Sequence, residues 1–134
     1  EKIVCEKYGA VFIIGMDYTC GRASDYDDWK LNGDLLIWSN VLDIPIEITS
    51  MGIRVDKNSL KEQLSVCNEN YKEEFDYHKQ ILNDELPLTI GGGIGQSRLC
   101  MLLLQKAHIG EVQCSVWDNK TINYANENNI KLLK

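Results

Sequence analysis

Apolar positions along this chain change period several times, and each change predicts an element. Ile3, Val4 and Cys5 stand between charges, reading as the end of a helix that Gly9 stops. Ala10 to Gly15 is short, unbroken and β-rich, which predicts a strand buried on both faces. Residues 16–30 show no period and read as irregular. Asn32-Gly33-Asp34 predicts a turn feeding a strand to Trp38, and Val41 to Ile44 a connection closed by Pro45. From Ile46 to Val55 the alternation is clear: Ile46, Ile48, Ser50, Gly52 and Arg54 share one face, Glu47, Thr49, Met51, Ile53 and Val55 the other. Asp56 is placed to cap a helix over 57–67 with Leu60, Leu64 and Cys67 on one side. Asn70-x-x-Glu73 predicts a second helix over 71–82, with Tyr71, Phe75, His78 and Leu82 on its apolar face; His78 reads as packed or hydrogen-bonded there. Pro87 opens a strand into the glycines. Residues 96–105 are apolar nearly all round and predict a core helix. Val112 to Trp117 alternates as a short strand, and the tail from Asp118 is polar and partly helical.

The most informative stretch is Thr89-Ile90-Gly91-Gly92-Gly93-Ile94-Gly95-Gln96-Ser97-Arg98-Leu99. Glycine lets backbone approach a ligand with no Cβ in the way. Arg98, at the strand-to-helix junction, offers a planar donor fork suited to phosphate. A Gly-rich turn with a surface arginine would give the same letters.

Charge sharpens this picture. The chain has 134 residues and a net charge of −6, which argues against nucleic-acid binding as its main task. Arginine occurs only as Arg22, Arg54 and Arg98, and lysine supplies the remaining positive charge. The arginines therefore look placed for planar recognition of carboxylate or phosphate. Gly21-Arg22-Ala23-Ser24-Asp25-Tyr26-Asp27-Asp28-Trp29 mixes three acids with an arginine and two aromatics. It suits either a cation site, for Mg²⁺ or an ammonium group, or a solvated self-paired loop. Glu47 and Arg54 are unusual charges in a strand this apolar, serving either a ligand or a structural ion pair. Five cysteines stand singly with no CxxC pair, which predicts reduced, mostly buried thiols in a cytoplasmic protein. No apolar run approaches the ~20 residues that span a membrane.

These elements add up to an α+β architecture, an antiparallel sheet flanked by helices. Strands and helices alternate too little for a dinucleotide-binding βαβ fold, and no Gly-Lys-Ser/Thr follows the glycines as in a Walker A loop.

Gly93-Ile94-Gly95-Gln96-Ser97-Arg98 resembles the Arg-terminated strand–helix motif of class II aminoacyl-tRNA synthetases. Glu47 to Arg54 resembles the Glu-to-Arg strand of the aspartyl branch of that superfamily. A closer resemblance is to the ammonia-dependent asparagine synthetases, or aspartate–ammonia ligases. It is carried by Asp25-Tyr26-Asp27-Asp28-Trp29, Leu31-Asn32-Gly33-Asp34, Ser50-Met51-Gly52-Ile53-Arg54-Val55 and Ile90 to Arg98, then Met101 to Gln105 and His108 to Gln113. The resemblance covers most of residues 9–117. It implies the C-terminal part of a class II aminoacyl-tRNA synthetase-like catalytic domain, residues 1–134. The N-terminal half, with a dimerisation helix and another ATP-binding arginine, would be absent, and loop residues missing between 16 and 31. The implied activity joins aspartate and ammonia at the expense of ATP, through β-aspartyl-AMP, with Mg²⁺, in a cytoplasmic homodimer needing neither nucleic acid nor membrane.

The implied roles fall on named residues. Arg98 would hold the ATP phosphates, and Glu47 the metal beside them. Ser50, Gly92, Gly93 and Gly95 would border the nucleotide. Arg54 would hold a carboxylate of aspartate, while Asp27 and Asp34 would bind the substrate ammonium or incoming ammonia. Asp27, Arg54 and Arg98 would be the catalytic set, and Arg22 a second carboxylate or phosphate contact. A fragment of an aspartyl- or asparaginyl-tRNA synthetase, or an ATP-binding relative without catalysis, would share parts of this pattern.

Overall fold

The computed structural model describes residues 1–16 and 24–134. Arg22, Cys20 and half of the expected shortened loop lie outside the described residues. Elements follow in the order α1 (Lys2–Tyr8), β1 (Ala10–Ile14), β2 (Asp27–Ser39), β3 (Ile44–Arg54), α2 (Lys57–Cys67), a 3-10 turn (Asn70–Glu74), α3 (Asp76–Leu82), β4 (Ile90–Ile94), α4 (Gln96–Leu103), a 3-10 turn (Ile109–Glu111) and α5 (Asn119–Glu127). The strands form one sheet in the order β1-β2-β3-β4. Gly15 donates to Asn32 O at 2.9 Å and Trp38 to Gly9 O at 2.7 Å, so one strand descends as the other climbs. Arg54 N to Thr89 O and Gly95 N to Ile48 O repeat that relation between β3 and β4. The antiparallel α+β arrangement matches the sequence expectation.

The chain divides into two compact units. One contains Glu1–Val11, Leu35–Thr49 and Ile94–Lys134, the other Phe12–Asp34 and Ser50–Gly93. In the first, Ile46 and Ile48 of β3 pack with Met101 of α4, and Leu99, Leu102, Ile109 and Val112 surround them. In the second, Val55, Leu60, Leu64 and Ile81 form the core, with Leu82 and Leu86 against it. Helix α2 shows how directly local sequence acts. The Asp56 carboxylate accepts from Asn58 N and Ser59 N, both at 2.8 Å, and Ser59 Oγ accepts from Asp56 N at 3.0 Å. This reciprocal cap fixes the start. Asn68, at φ 58°, ends the helix in the left-handed conformation. Leu60 and Leu64, four residues apart, are both fully buried.

Several expectations change. β1 is the outer strand of the sheet, so Phe12 and Ile14 are exposed rather than buried on both faces. Asn32-Gly33 is not a turn. Asn32 lies inside β2, where its amide accepts from Met16 N at 2.8 Å and donates to Met16 O at 2.7 Å, extending the pairing with a side chain. β2 also begins earlier than expected. Gln63 of α2 donates to Asp27 O at 2.9 Å and accepts from Trp29 N at 3.0 Å, satisfying backbone that local sequence leaves unpaired. The helix expected over 71–82 is broken at Phe75, whose ψ of 144° is extended. α4 buries one stripe around Met101 and leaves Leu103 exposed, because it covers a sheet from one side only. No strand forms over 112–117. Just before it, Glu111 accepts from Ala107 N and His108 N and caps the 3-10 turn over Ile109–Glu111. Among the described cysteines only Cys5 is buried, and four are free thiols.

The Asp56 carboxyl is held below the ordinary carboxylate value, chiefly by the backbone hydrogen bond from Ser59. Its contribution is therefore complete above the unfolded value of about pH 3.9 and fades as pH falls through the lower folded value. Asp56→Ala should lower the unfolding free energy by about 1 kcal/mol at neutral pH. In urea titrations that deficit should shrink towards pH 3, whereas a pH-independent deficit would contradict the capping role.

Candidate active site

β3 ends at Arg54 because Asp56 opens α2 two residues later, and the helix cap fixes where the strand must stop. Arg54 N donates to Thr89 O at 2.9 Å, which aligns it with the start of the glycine strand. Its guanidinium forms an ion pair with Asp27, and both side chains are mostly buried, 27% and 18% exposed. The Tyr26 ring lies 4.9 Å from Cζ of the same guanidinium, a cation–π contact. The planar group crosses β4 over Gly91. A Cβ there would sit 2.5 Å from Cζ and 2.6 Å from Nε of Arg54, a space that only glycine leaves. Gly52 is equally constrained: its Cβ would meet Asn32 Cβ at 2.9 Å and Asn32 Cα at 3.0 Å. The pair thus joins a positive fork to a negative carboxylate in a partly dry setting. A zwitterion carrying carboxylate and ammonium has the complementary charges.

The second pair lies in the other unit. Arg98, in the first turns of α4, donates through Nη1 to the backbone oxygen of Glu47 at 3.1 Å and reaches the Glu47 carboxylate at 3.5 Å. Both side chains reach solvent, with Arg98 half-exposed. Gly95, the residue before α4, donates to Ile48 O at 2.8 Å, and its Cβ position would touch the Arg98 stem at 3.4 Å. Among the described residues this half-exposed guanidinium meets one carbonyl and one carboxylate, both of Glu47, and an anion could compete for its donors.

The remaining sequence-predicted residues are distributed as follows. Asp34 is buried on β2, 2% exposed. Ser50 is exposed on β3. Gly93 has nothing within 4 Å of its Cβ position, so that side of β4 is open. Gly92 faces the opposite side, where a Cβ would meet Met51 Cβ at 2.7 Å. That side carries an apolar groove of about 620 Å³ bounded by Phe12, Leu31, Met51, Ile53 and Ile90. No group of three or more His, Cys, Asp or Glu able to hold a metal occurs among the described residues.

An antiparallel sheet whose glycine-rich strand runs into an arginine-bearing helix is the class II aminoacyl-tRNA synthetase-like fold. Entamoeba histolytica asparaginyl-tRNA synthetase shares it, with a TM-score of 0.59 over 84% of this chain and 27% of that chain, at 21% sequence identity. Its structure in complex with asparaginyl-adenylate aligns with the same TM-score, at 22% identity. Within that fold the chain belongs to the aspartate-ammonia ligase family, whose model matches residues 1–129. It is 55% identical to the aspartate–ammonia ligase of Bacillus cytotoxicus, 56% to that of Bacillus cereus strain AH187 and 55% to that of Bacillus mycoides strain KBAB4. Each match covers 98% of this chain and 42% of the relative, so the chain spans about two fifths of their length. Each alignment runs over 139 positions, five more than the 134 residues of the chain.

Gly91, Tyr26 and Gln63 were not singled out by the sequence. The glycine run marks close approach, but only strand register reveals that Gly91, not Gly92, lies under Arg54. Gly91→Ala displaces the end of a flexible side chain and should change unfolding free energy by no more than about 1 kcal/mol. Gly52→Ala drives a methyl into backbone and should cost about 1–3 kcal/mol. Equal losses in chemical denaturation would show that the Arg54 guanidinium cannot move aside.

Proposed function

We propose that this chain is the C-terminal part of a single catalytic domain that makes asparagine from aspartate, ammonia and ATP. The observation that carries this reading, beside the family match, is the Arg54–Asp27 pair laid across Gly91. An arginine fork and a carboxylate together complement the carboxylate and ammonium of an amino acid. The remaining part of the domain is proposed to supply the homodimer contact, and the enzyme is proposed to work in the cytoplasm without nucleic acid. The alignments that outrun the chain support a loop shortened relative to its family, which we assign to residues 16–31.

The proposed chemistry has two steps. A carboxylate oxygen of aspartate attacks the α-phosphorus of ATP, the bond to the bridging oxygen breaks, and pyrophosphate leaves. Ammonia then attacks the resulting acyl carbon of β-aspartyl-AMP, the bond to AMP breaks, and the extra proton passes to a base. Two anions must meet in the first step, so positive charge has to be in place beforehand. Arg54 fits the aspartate carboxylate and Arg98 the polyphosphate. Asp27, Arg54 and Arg98 are the proposed catalytic set. Asp27 and Asp34 suit the substrate ammonium or incoming ammonia, and Asp27 is one candidate to receive the proton. Arg22 is proposed as a further anion contact. Gly93 leaves its side of the strand open, which supports a nucleotide there, and Gly92, Gly95 and Ser50 are proposed to border it.

Glu47 suits a magnesium ion in one respect that the structure displays. Its carboxylate reaches solvent beside Arg98, and Mg²⁺ commonly takes one or two carboxylates and fills its shell with phosphate and water. Mg²⁺ bound there would offset phosphate charge and orient the leaving pyrophosphate. Arg98, which pairs with Glu47, would turn from that carboxylate to the phosphates.

In the full-length protein, Arg54→Lys should raise KM for aspartate by tenfold or more while KM for ATP moves less than about twofold, since lysine lacks the planar fork. Gly91→Ala should act in the same direction. Arg98→Ala should instead raise KM for ATP and slow ATP–pyrophosphate exchange. Unchanged exchange in both arginine variants would overturn the assignment. Asparagine should form with ammonium as nitrogen source and not with glutamine.

A further inference from the structure

Asp25 stands two residues before Asp27, and none of the proposed chemistry uses it. Its Oδ2 receives Lys72 Nζ at 3.0 Å and pairs with His78 Nε2 at 3.2 Å. An ionised carboxylate only accepts, so the His78 proton on this side belongs to Nε2. Nδ1 of His78 is buried and has no hydrogen-bond partner among the described residues. The imidazole meets Asp25 from the turn, Phe75 at the helix break and, from its own helix, Tyr77; Lys72 shares Asp25 with it, and Tyr71 packs on Phe75. Glu69 pairs with Lys72 from behind. Burial raises the Asp25 carboxyl, but the Lys72 and His78 bonds outweigh it and hold it below the ordinary carboxylate value.

The arrangement depends on the break at Phe75. In one continuous helix, residues 72 and 78 would point about 120° apart around the axis and could not meet one carboxylate. With a 3-10 turn over Asn70–Glu74 and α3 restarting at Asp76, both converge on Asp25. The cluster is a poor device for stability alone, because removing these charges from water offsets most of their attraction. Its specific product is geometry. Asp25 is fixed by Lys72 and His78, its carbonyl and that of Asp27 both receive Gln63 Nε2, and Tyr26 O receives Val55 N at 3.0 Å. The side chains of Tyr26 and Asp27, carried on this strip, both meet the Arg54 guanidinium.

We propose that Asp25 is a positioning residue: the Lys72–Asp25–His78 latch seats the Asp25-Tyr26-Asp27 turn so that Tyr26 and Asp27 frame Arg54 for the amino-acid substrate. The inference rests on the reading of Arg54 as the carboxylate contact. It concerns how that contact is placed and adds no group that touches substrate.

The test uses the full-length enzyme with aspartate and ATP varied separately. Asp25→Ala should raise KM for aspartate by about tenfold, the scale of a misplaced binding group, with KM for ATP within about twofold. In an Arg54→Lys background the same substitution should add little, because the residue it acts through is already altered. His78→Gln, which can return an N–H to Asp25, should keep KM for aspartate within about twofold of the parent, whereas His78→Leu should behave like Asp25→Ala. Equal losses for both substrates, full additivity with Arg54→Lys, or identical behaviour of His78→Gln and His78→Leu would each overturn the latch. Should Asp25→Ala fail to fold, the His78 pair decides alone. If Arg54→Lys leaves KM for aspartate unchanged, the substrate reading itself fails. If Arg54→Lys raises it and Asp25→Ala does not, only the latch fails.

Discussion

The lie of the Arg54 guanidinium over Gly91 is the constraint from which the described site follows. A cation this large can occupy a partly dry position only where a strand supplies no side chain and an acid supplies the counter-charge. Gly91 provides the first and Asp27 the second. The register between β3 and β4, fixed where Arg54 N meets Thr89 O, then decides which glycine lies beneath the arginine. The Asp56 cap sets the end of β3, so a helix start controls the place of Arg54 on the preceding strand.

Side chains replace backbone at the points where regular structure gives out. Asn32 pairs with both backbone groups of Met16, and Gln63 bridges the carbonyls of Asp25 and Asp27 and the amide of Trp29. Each amide offers a donor and an acceptor with fixed geometry, as a strand neighbour would. The Asp25–Trp29 strip is therefore held without a strand on every side, and its carboxylates and rings remain aimed.

What the sequence revealed and what it concealed divide along the same physical line. Effects acting within four residues were legible: Gly9 ending α1, Asp56 opening α2, Leu60 and Leu64 on one face. The family motifs were legible as well, because Arg54, Asp27, Glu47 and Arg98 are unusual residues in their settings and the structure joins them pairwise. Effects set by distant partners were not. Asn32-Gly33 has turn chemistry but lies in a strand because Met16 and Phe12 meet it there. The 71–82 pattern is helical, yet the pull of Asp25 on Lys72 and His78 coincides with a break at Phe75. Gly91 stood among three other glycines with nothing local to distinguish it.

Arg54 and Arg98 are each already paired with an acid of this chain, Arg54 with Asp27 and Arg98 with Glu47. On the proposed reading, each substrate enters by counter-ion exchange rather than by filling a field of bare positive charge. An anion that takes the Arg54 fork releases Asp27, and a free carboxylate in a partly dry place is unfavourable unless a cation arrives with the anion. An α-amino acid brings its own ammonium, whereas a simple dicarboxylate does not. The resting ion pair would then act as a filter that admits zwitterions and turns away acids of similar size.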